Sequence, residues 1–170
     1  MQNNILIVGA SGHIGSHIYL SLLEQNDINI TATKYHKSNE DFIKIDLTNQ
    51  IEISQFVEKL IRHNILIFLV GLAHEKGKAS DKKKFNQINY RTLTNLLNAL
   101  DSRDKLPDKI IFASTISVYG EKYDQIIYDE NTVPEPFSPY AVTKLEAEQY
   151  LLKNYSNRSW ILRIAPVYSA

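Results

Sequence analysis

Tyr140 and Lys144 stand four residues apart in the segment Ser138-Pro139-Tyr140-Ala-Val-Thr-Lys144. On a helix that spacing puts both side chains on one face, one turn apart. A tyrosine is a weak proton carrier at its ordinary pKa of about 10, and an adjacent cation favours the phenolate. Ser138 and Pro139 read as N-cap and first helical residue, so Tyr140 falls in the first turn, where the helix dipole adds positive potential. Such a tyrosine can give a proton to, or take one from, an alcohol or carbonyl oxygen while a nicotinamide moves hydride. The spacing alone is common by chance. Its company is more telling: Phe112-Ala-Ser114-Thr115-Ile-Ser117 is an apolar run that ends in hydroxyls. Thr115 could donate a hydrogen bond to a substrate oxygen and stabilise charge there, although a polar strand end is also an ordinary cap.

A second constellation opens the chain. Ile5-Leu-Ile-Val-Gly9-Ala-Ser11-Gly12-His13-Ile14-Gly15 is an apolar run followed by three glycines at three-residue spacing. Gly9 can take a tight turn, Gly12 lets a pyrophosphate approach the backbone, and Gly15 lets a helix pack close to the strand. The helix N-terminus then offers free N–H groups and a partial positive charge to the anion. His13 and His17 are four apart, but no third ligand is evident, so no metal is expected.

The elements that must position these residues follow from apolar periodicity. Strands are predicted at 5–8, 28–33, 42–45, 65–70, 109–114 and 160–164, each short and rich in β-branched residues. Helices are predicted at 14–25, 51–63, 83–100 and 139–155. Strands alternating with helices predict one α/β domain over residues 1–170, a doubly wound parallel sheet of Rossmann type with strand order 3-2-1-4-5-6. In that fold ligands bind at the C-terminal ends of the strands, where Thr115 and the glycine loop both lie.

The bulk composition narrows the classes. The 170 residues carry a formal net charge of zero and no cysteine. No basic surface points to nucleic acid, and disulfides and thiolate chemistry are absent. No apolar stretch approaches the length of a membrane span, and the start does not read as a signal peptide. The expectation is a cytoplasmic protein.

Taken together, the motifs resemble the extended short-chain dehydrogenase/reductases, the NAD-dependent epimerase/dehydratase family. The resemblance covers nearly the whole chain. It rests on the Gly9/Gly12/Gly15 loop, Asp46-Leu47, Leu69-Val-Gly71-Leu72-Ala73, Asn89, Ser114-Thr115 with Val118-Tyr119-Gly120, Tyr140/Lys144, and Leu162-Arg163 with Val167-Tyr168. It implies Thr115 as the catalytic hydroxyl, Tyr140 as the acid-base, and Lys144 as the residue that orients ribose and tunes the tyrosine. It implies that Asp46 reaches the adenine amino group. Cofactor contacts are expected from Gly9, Ser11, Gly12, His13, Ile14, Gly15, Leu47, Gly71, Leu72, Ala73 and Asn89, besides Tyr140 and Lys144. The implied substrate is a nucleotide-sugar, held by a C-terminal domain that this chain lacks, and the implied activity is 4-ketoreduction or 4-epimerisation, in polysaccharide biosynthesis at family level. A homodimer through helices 83–100 and 139–155 is a further expectation by analogy.

The chain departs from the family pattern in places. Thr92-Leu93 stand where Gly-Thr is usual, and Ile116-Ser117 replace the Asp-Glu of the dehydratases, which argues against dehydration. Folds that select NAD carry an acid about 20 residues after the glycines; here Thr33-Lys34-Tyr35-His36-Lys37 stand there, with no carboxylate until Glu40. Lys34 and Lys37 could attract a 2′-phosphate, with Thr33 as a hydrogen-bond partner. NADP(H) is therefore expected over NAD(H). Two alternatives remain from the residues: a non-catalytic NAD(P)-binding sensor, and a piece that binds cofactor without turnover.

Overall fold

The computed structural model describes residues 3–35, 41–72, 82–120 and 127–167. Six parallel strands form one sheet in the order β3-β2-β1-β4-β5-β6. They are β1 (Asn3–Val8), β2 (Ile28–Lys34), β3 (Ile43–Lys44), β4 (Ile65–Phe68), β5 (Lys109–Thr115) and β6 (Ser159–Ile164). The helices are α1 (His13–Leu23), α2 (Gln50–Lys59), α3 (Lys82–Asn86), α4 (Thr92–Asp101) and α5 (Pro139–Tyr155). The strand order is the one expected. Strand order reverses between β1 and β4, and the glycine loop leaves β1 beside that switch point, where such sheets bind ligands.

Burial follows the two-sided pattern of a parallel sheet. Leu6, Val8, Leu66, Phe68, Ile110 and Phe112 face α2, α4 and α5. Ile5, Ile7, Ala32 and Ile67 face Ile18, Tyr19 and Leu22 of α1. Burying these side chains stabilises the fold at about 25 cal/mol per Å2 of apolar surface. Among the described residues, no helix is long and apolar enough to cross a membrane.

Two helices differ most from the periodicity. The single helix expected at 83–100 is α3, a π-helical segment at Gln87–Arg91, and α4. Hydrophobic spacing reads only the inward stripe and is blind to one wide turn. The helix expected at 51–63 ends at Lys59. There Lys105 Nζ donates to Val57 O and Glu58 O, both at 2.9 Å, closing carbonyls that a longer helix would have used. The released stretch delivers His63 into the interior, 4 % exposed, with Nε2 2.9 Å from Thr31 Oγ1.

Burial holds the His63 imidazole below its ordinary pKa, with a smaller opposing effect from the Ile61 backbone. The unfolded chain therefore binds a proton that the folded chain resists. Stability is full above the unfolded value of about 6.5 and falls as pH drops from there toward the lower folded value. Urea unfolding at pH 7.5 and 5.5 should show this loss, at most about 1.4 kcal/mol per pH unit for one proton. His63→Gln should flatten the pH dependence; an unchanged slope would mean that His63 does not titrate on unfolding.

Candidate functional site

The loop after β1 is wound tightly on itself. Gly9 has φ +89°, Gly12 N donates to Gly9 O at 3.2 Å, and Ala10 N donates to Thr33 O at 3.0 Å. Gly15 is buried in the first turn of α1, where a Cβ would overlap Gly9 O and come within 2.8 Å of Ala10 Cα. That glycine is required by protein packing. Gly12 is different. It is exposed, in extended backbone at φ −74°, and a Cβ there would meet only Gly9 O at 3.4 Å, an ordinary contact. Nothing in the protein's own packing requires glycine at that position.

Gly12 is also the N-cap of α1, and no side chain caps the helix. By contrast, Asn49 caps α2 and Ser138 caps α5 with side-chain acceptors. The first N–H groups of α1 thus point from a helix end that has positive potential and no capping anion. They open into a cleft of about 700 Å3, walled by Gly9, Gly12, His13, Ile14 and Gly15 on the α1 side. Thr115, Ser117, Ser138, Tyr140, Lys144 and the stretch Ile164, Ala165, Pro166 and Val167 wall the other. An uncapped helix end, a glycine that leaves the backbone bare and the Tyr140/Lys144 pair along one cleft fit a dinucleotide.

The far wall is built by α5 and β5. Ser138 Oγ accepts from Ala141 N at 3.1 Å, and Pro139 opens the helix, which places Tyr140 in the first turn. Thr115 ends β5, 7 % exposed; its hydroxyl lies 3.2 Å from Ser117 Oγ and accepts from Ser117 N. Lys144 is 3 % exposed, with Nζ donating to Ala113 O at 2.7 Å and to Val70 O at 3.4 Å, 4.6 Å above the Phe112 ring. Burial pulls its pKa down to about 8, and the charge of Glu148 opposes that.

Tyr140 corrects the expectation drawn from its spacing to Lys144. Its phenol lies above the ordinary value, because burial outweighs everything else; the opposing influence is the Thr115 hydroxyl. The Lys144 ammonium is spent on the two carbonyls. In this state the cleft keeps Tyr140 protonated.

Other expected residues sit at the margins. Ser11 is exposed in the loop. Thr33 is 1 % exposed inside the sheet and does not line the cleft, and Lys34 Nζ lies 5.4 Å above the Phe42 ring. Asp46 Oδ1 accepts from Thr48 N at 2.8 Å and Thr48 Oγ1 at 2.7 Å, an Asx turn leading into α2, while Leu47 belongs to the core. Asn89, fully buried in the π-helical segment, accepts from Leu72 N at 2.6 Å and donates to Leu72 O and to Thr143 Oγ1. It clamps the chain after Gly71 against α5. Ala73, His36, Lys37, Glu40 and Tyr168 lie outside the described residues. His17 Nδ1 is 2.8 Å from His13 O, and among the described residues no three ligands gather for a metal. Sequence reasoning missed Glu148, which carried a signal, since it continues the Tyr140, Lys144 spacing by four.

A family model, the NAD dependent epimerase/dehydratase family, matches residues 5–170. A UDP-glucose 4-epimerase of Rhizobium meliloti is 32 % identical over 172 residues, covering 95 % of this chain and 51 % of that protein. Among solved structures, the UDP-glucuronic acid 4-epimerase from Bacillus cereus in complex with NAD is 28 % identical, with a TM-score of 0.78, covering 97 % of this chain and 56 % of the other. RMD from Pseudomonas aeruginosa complexed with NADPH shares the fold at 24 % identity and TM-score 0.78, over 96 % and 54 % of the two chains. The chain spans about half the length of the curated relatives it matches.

The two glycines should separate binding from folding. Gly15→Ala should lower stability by about 1–3 kcal/mol, as overpacking does. Gly12→Ala should cost less than about 1 kcal/mol yet weaken NAD(P)H binding roughly tenfold or more, a loss of about 1.4 kcal/mol in affinity. Denaturant melts paired with calorimetric titration of the cofactor read both quantities.

Proposed function

Because the chain belongs to the NAD-dependent epimerase/dehydratase family, we propose that it forms the cofactor-binding and catalytic half of an oxidoreductase acting on a nucleotide-sugar, of 4-epimerase or 4-ketoreductase type. One observation carries this reading: Thr115, Tyr140 and Lys144 share a single cleft with the uncapped N-terminus of α1. A sensor would need the glycine loop but not the three far-wall side chains.

The amides of His13, Ile14 and Gly15 would hold the pyrophosphate, and Asp46 and Lys144 the adenine and ribose ends. A bound nicotinamide supplies hydride transfer. Tyr140 moves the matching proton at the substrate oxygen, and Thr115 donates a hydrogen bond to the same atom as charge develops there. The phenol is held above its ordinary value and so enters the reaction protonated; in reduction it gives that proton to a carbonyl oxygen as hydride arrives. The relatives named as 4-epimerases favour reversible transfer, in which hydride leaves a sugar carbon and returns to the opposite face.

With the complete protein and UDP-sugars as substrates, Tyr140→Phe should abolish turnover and leave cofactor affinity within about two- to threefold, since the ring still packs. Thr115→Ala should slow turnover by about 10²-fold, the scale of one lost oxyanion donor. Full activity in Tyr140→Phe would overturn the assignment.

The cofactor reading is NADP(H), supported by Lys34 at the end of β2 and by the lack of a carboxylate in Thr33-Lys34-Tyr35. Calorimetric titration should give tighter binding of NADPH than of NADH. Lys34→Ala should weaken NADPH alone, by roughly tenfold, the worth of one charge-assisted phosphate contact. Equal or tighter binding of NADH, unmoved by the substitution, would assign NAD(H) instead.

A further inference from the structure

One turn beyond Lys144 on α5 lies Glu148, a carboxylate only 1 % exposed. It accepts a hydrogen bond from Ser114 Oγ at the end of β5. It also accepts from Arg163 on β6, with Nη2 2.7 Å from Oε2 and Nε 3.2 Å from both oxygens. Ser114 immediately precedes Thr115. Arg163 immediately precedes Ile164, where the chain turns to wall the cleft. The Arg163 guanidinium also lies 4.7 Å above the Tyr119 ring, whose hydroxyl donates to Asp129 O at 2.7 Å. A single buried carboxylate thus joins the three elements of the far wall. Buried charges of this kind persist only when paired and fully hydrogen-bonded.

Lys144 has the opposite arrangement. Its ammonium is held by two neutral carbonyls and the Phe112 face, and it makes no ion pair with a carboxylate among the described residues. We propose that Glu148 is a positioning residue of the cleft, locking the ends of β5 and β6 to α5 and supplying the negative charge that keeps Lys144 an ammonium. Its bearing on turnover rests on the reading given under Proposed function; the charge on Lys144 does not, and can be measured without substrate.

The groups facing Glu148 are Ser114 from β5, Arg163 from β6 and Lys144 from its own helix, with Tyr119 behind Arg163. Arg163 is partly solvent-exposed, with its side chain at 21 %, so water screens it, whereas Lys144 is screened by little but protein. Burial drags Lys144 down and Glu148 opposes the drag. Neutralising Glu148 therefore lets the ammonium discharge at lower pH, while removing Arg163 leaves the carboxylate's field uncompensated and has the opposite effect.

The experiment follows the Lys144 Cε resonance of lysine-labelled protein by NMR from pH 6 to pH 11, assigned by its loss in Lys144→Met. The intact protein should titrate near 8. Glu148→Gln should move the midpoint down by about one pH unit, the scale of one nearby opposite charge. Arg163→Gln should move it up. Shifts of opposite sign separate an electrostatic role from simple loosening of the wall. A folded Glu148→Gln protein with an unmoved Lys144 midpoint overturns the proposal. If that variant fails to fold, Arg163→Gln decides, and a midpoint that stays or falls there overturns it equally. Absence of cofactor binding with these shifts intact would instead count against the proposed function alone.

Discussion

The contact between Gly15 and Gly9 O sets everything else in the cleft. Because residue 15 lacks a Cβ, α1 can begin directly against the turn that ends β1. The helix end is thereby delivered to the point where the sheet changes direction. It arrives uncapped, with its first N–H groups aimed across the cleft rather than satisfied by a neighbouring side chain. A helix end in that condition presents N–H groups and positive potential suited to an anion. The far wall, with Thr115, Tyr140 and Lys144, lines the same cleft.

The second constraint is the burial of charge on α5. Tyr140, Lys144 and Glu148 follow one another by four residues, so they form a column that descends from the cleft into the protein. Tyr140 is half-buried, and the two below it are almost wholly enclosed. Solvent contact falls along the column, and the partner changes from a hydroxyl at the top, through two carbonyls, to an arginine at the bottom. At the top the phenol is reachable from the cleft. Structural charge belongs at the bottom, where it ties strands together.

Much of this was legible in the sequence. The bounds of α5 emerge unchanged because Ser138 and Pro139 mark its start without ambiguity. The sheet order followed from alternating strands and helices, and the glycine spacing marked the tight turn between β1 and α1. What stayed hidden came from long-range partners. Spacing paired Tyr140 with Lys144, but Ala113 O and Val70 O, from two different strand ends, take the ammonium. The helix containing Asn89 widens into a π turn where that side chain clamps Leu72, a contact seventeen residues away in the chain. The early end of α2 depends on Lys105, and the fate of His63 depends on it in turn. None of these has a local signature.

The most direct measurement of the central claim is an amide NMR titration of the protein with NADPH and NADH. The account predicts that the backbone resonances of His13, Ile14 and Gly15 and the Cε signal of Lys144 shift together, along one saturable isotherm, because a single molecule spans both walls. Saturable binding that leaves the α1 amides unmoved, or no binding by either cofactor, would contradict it.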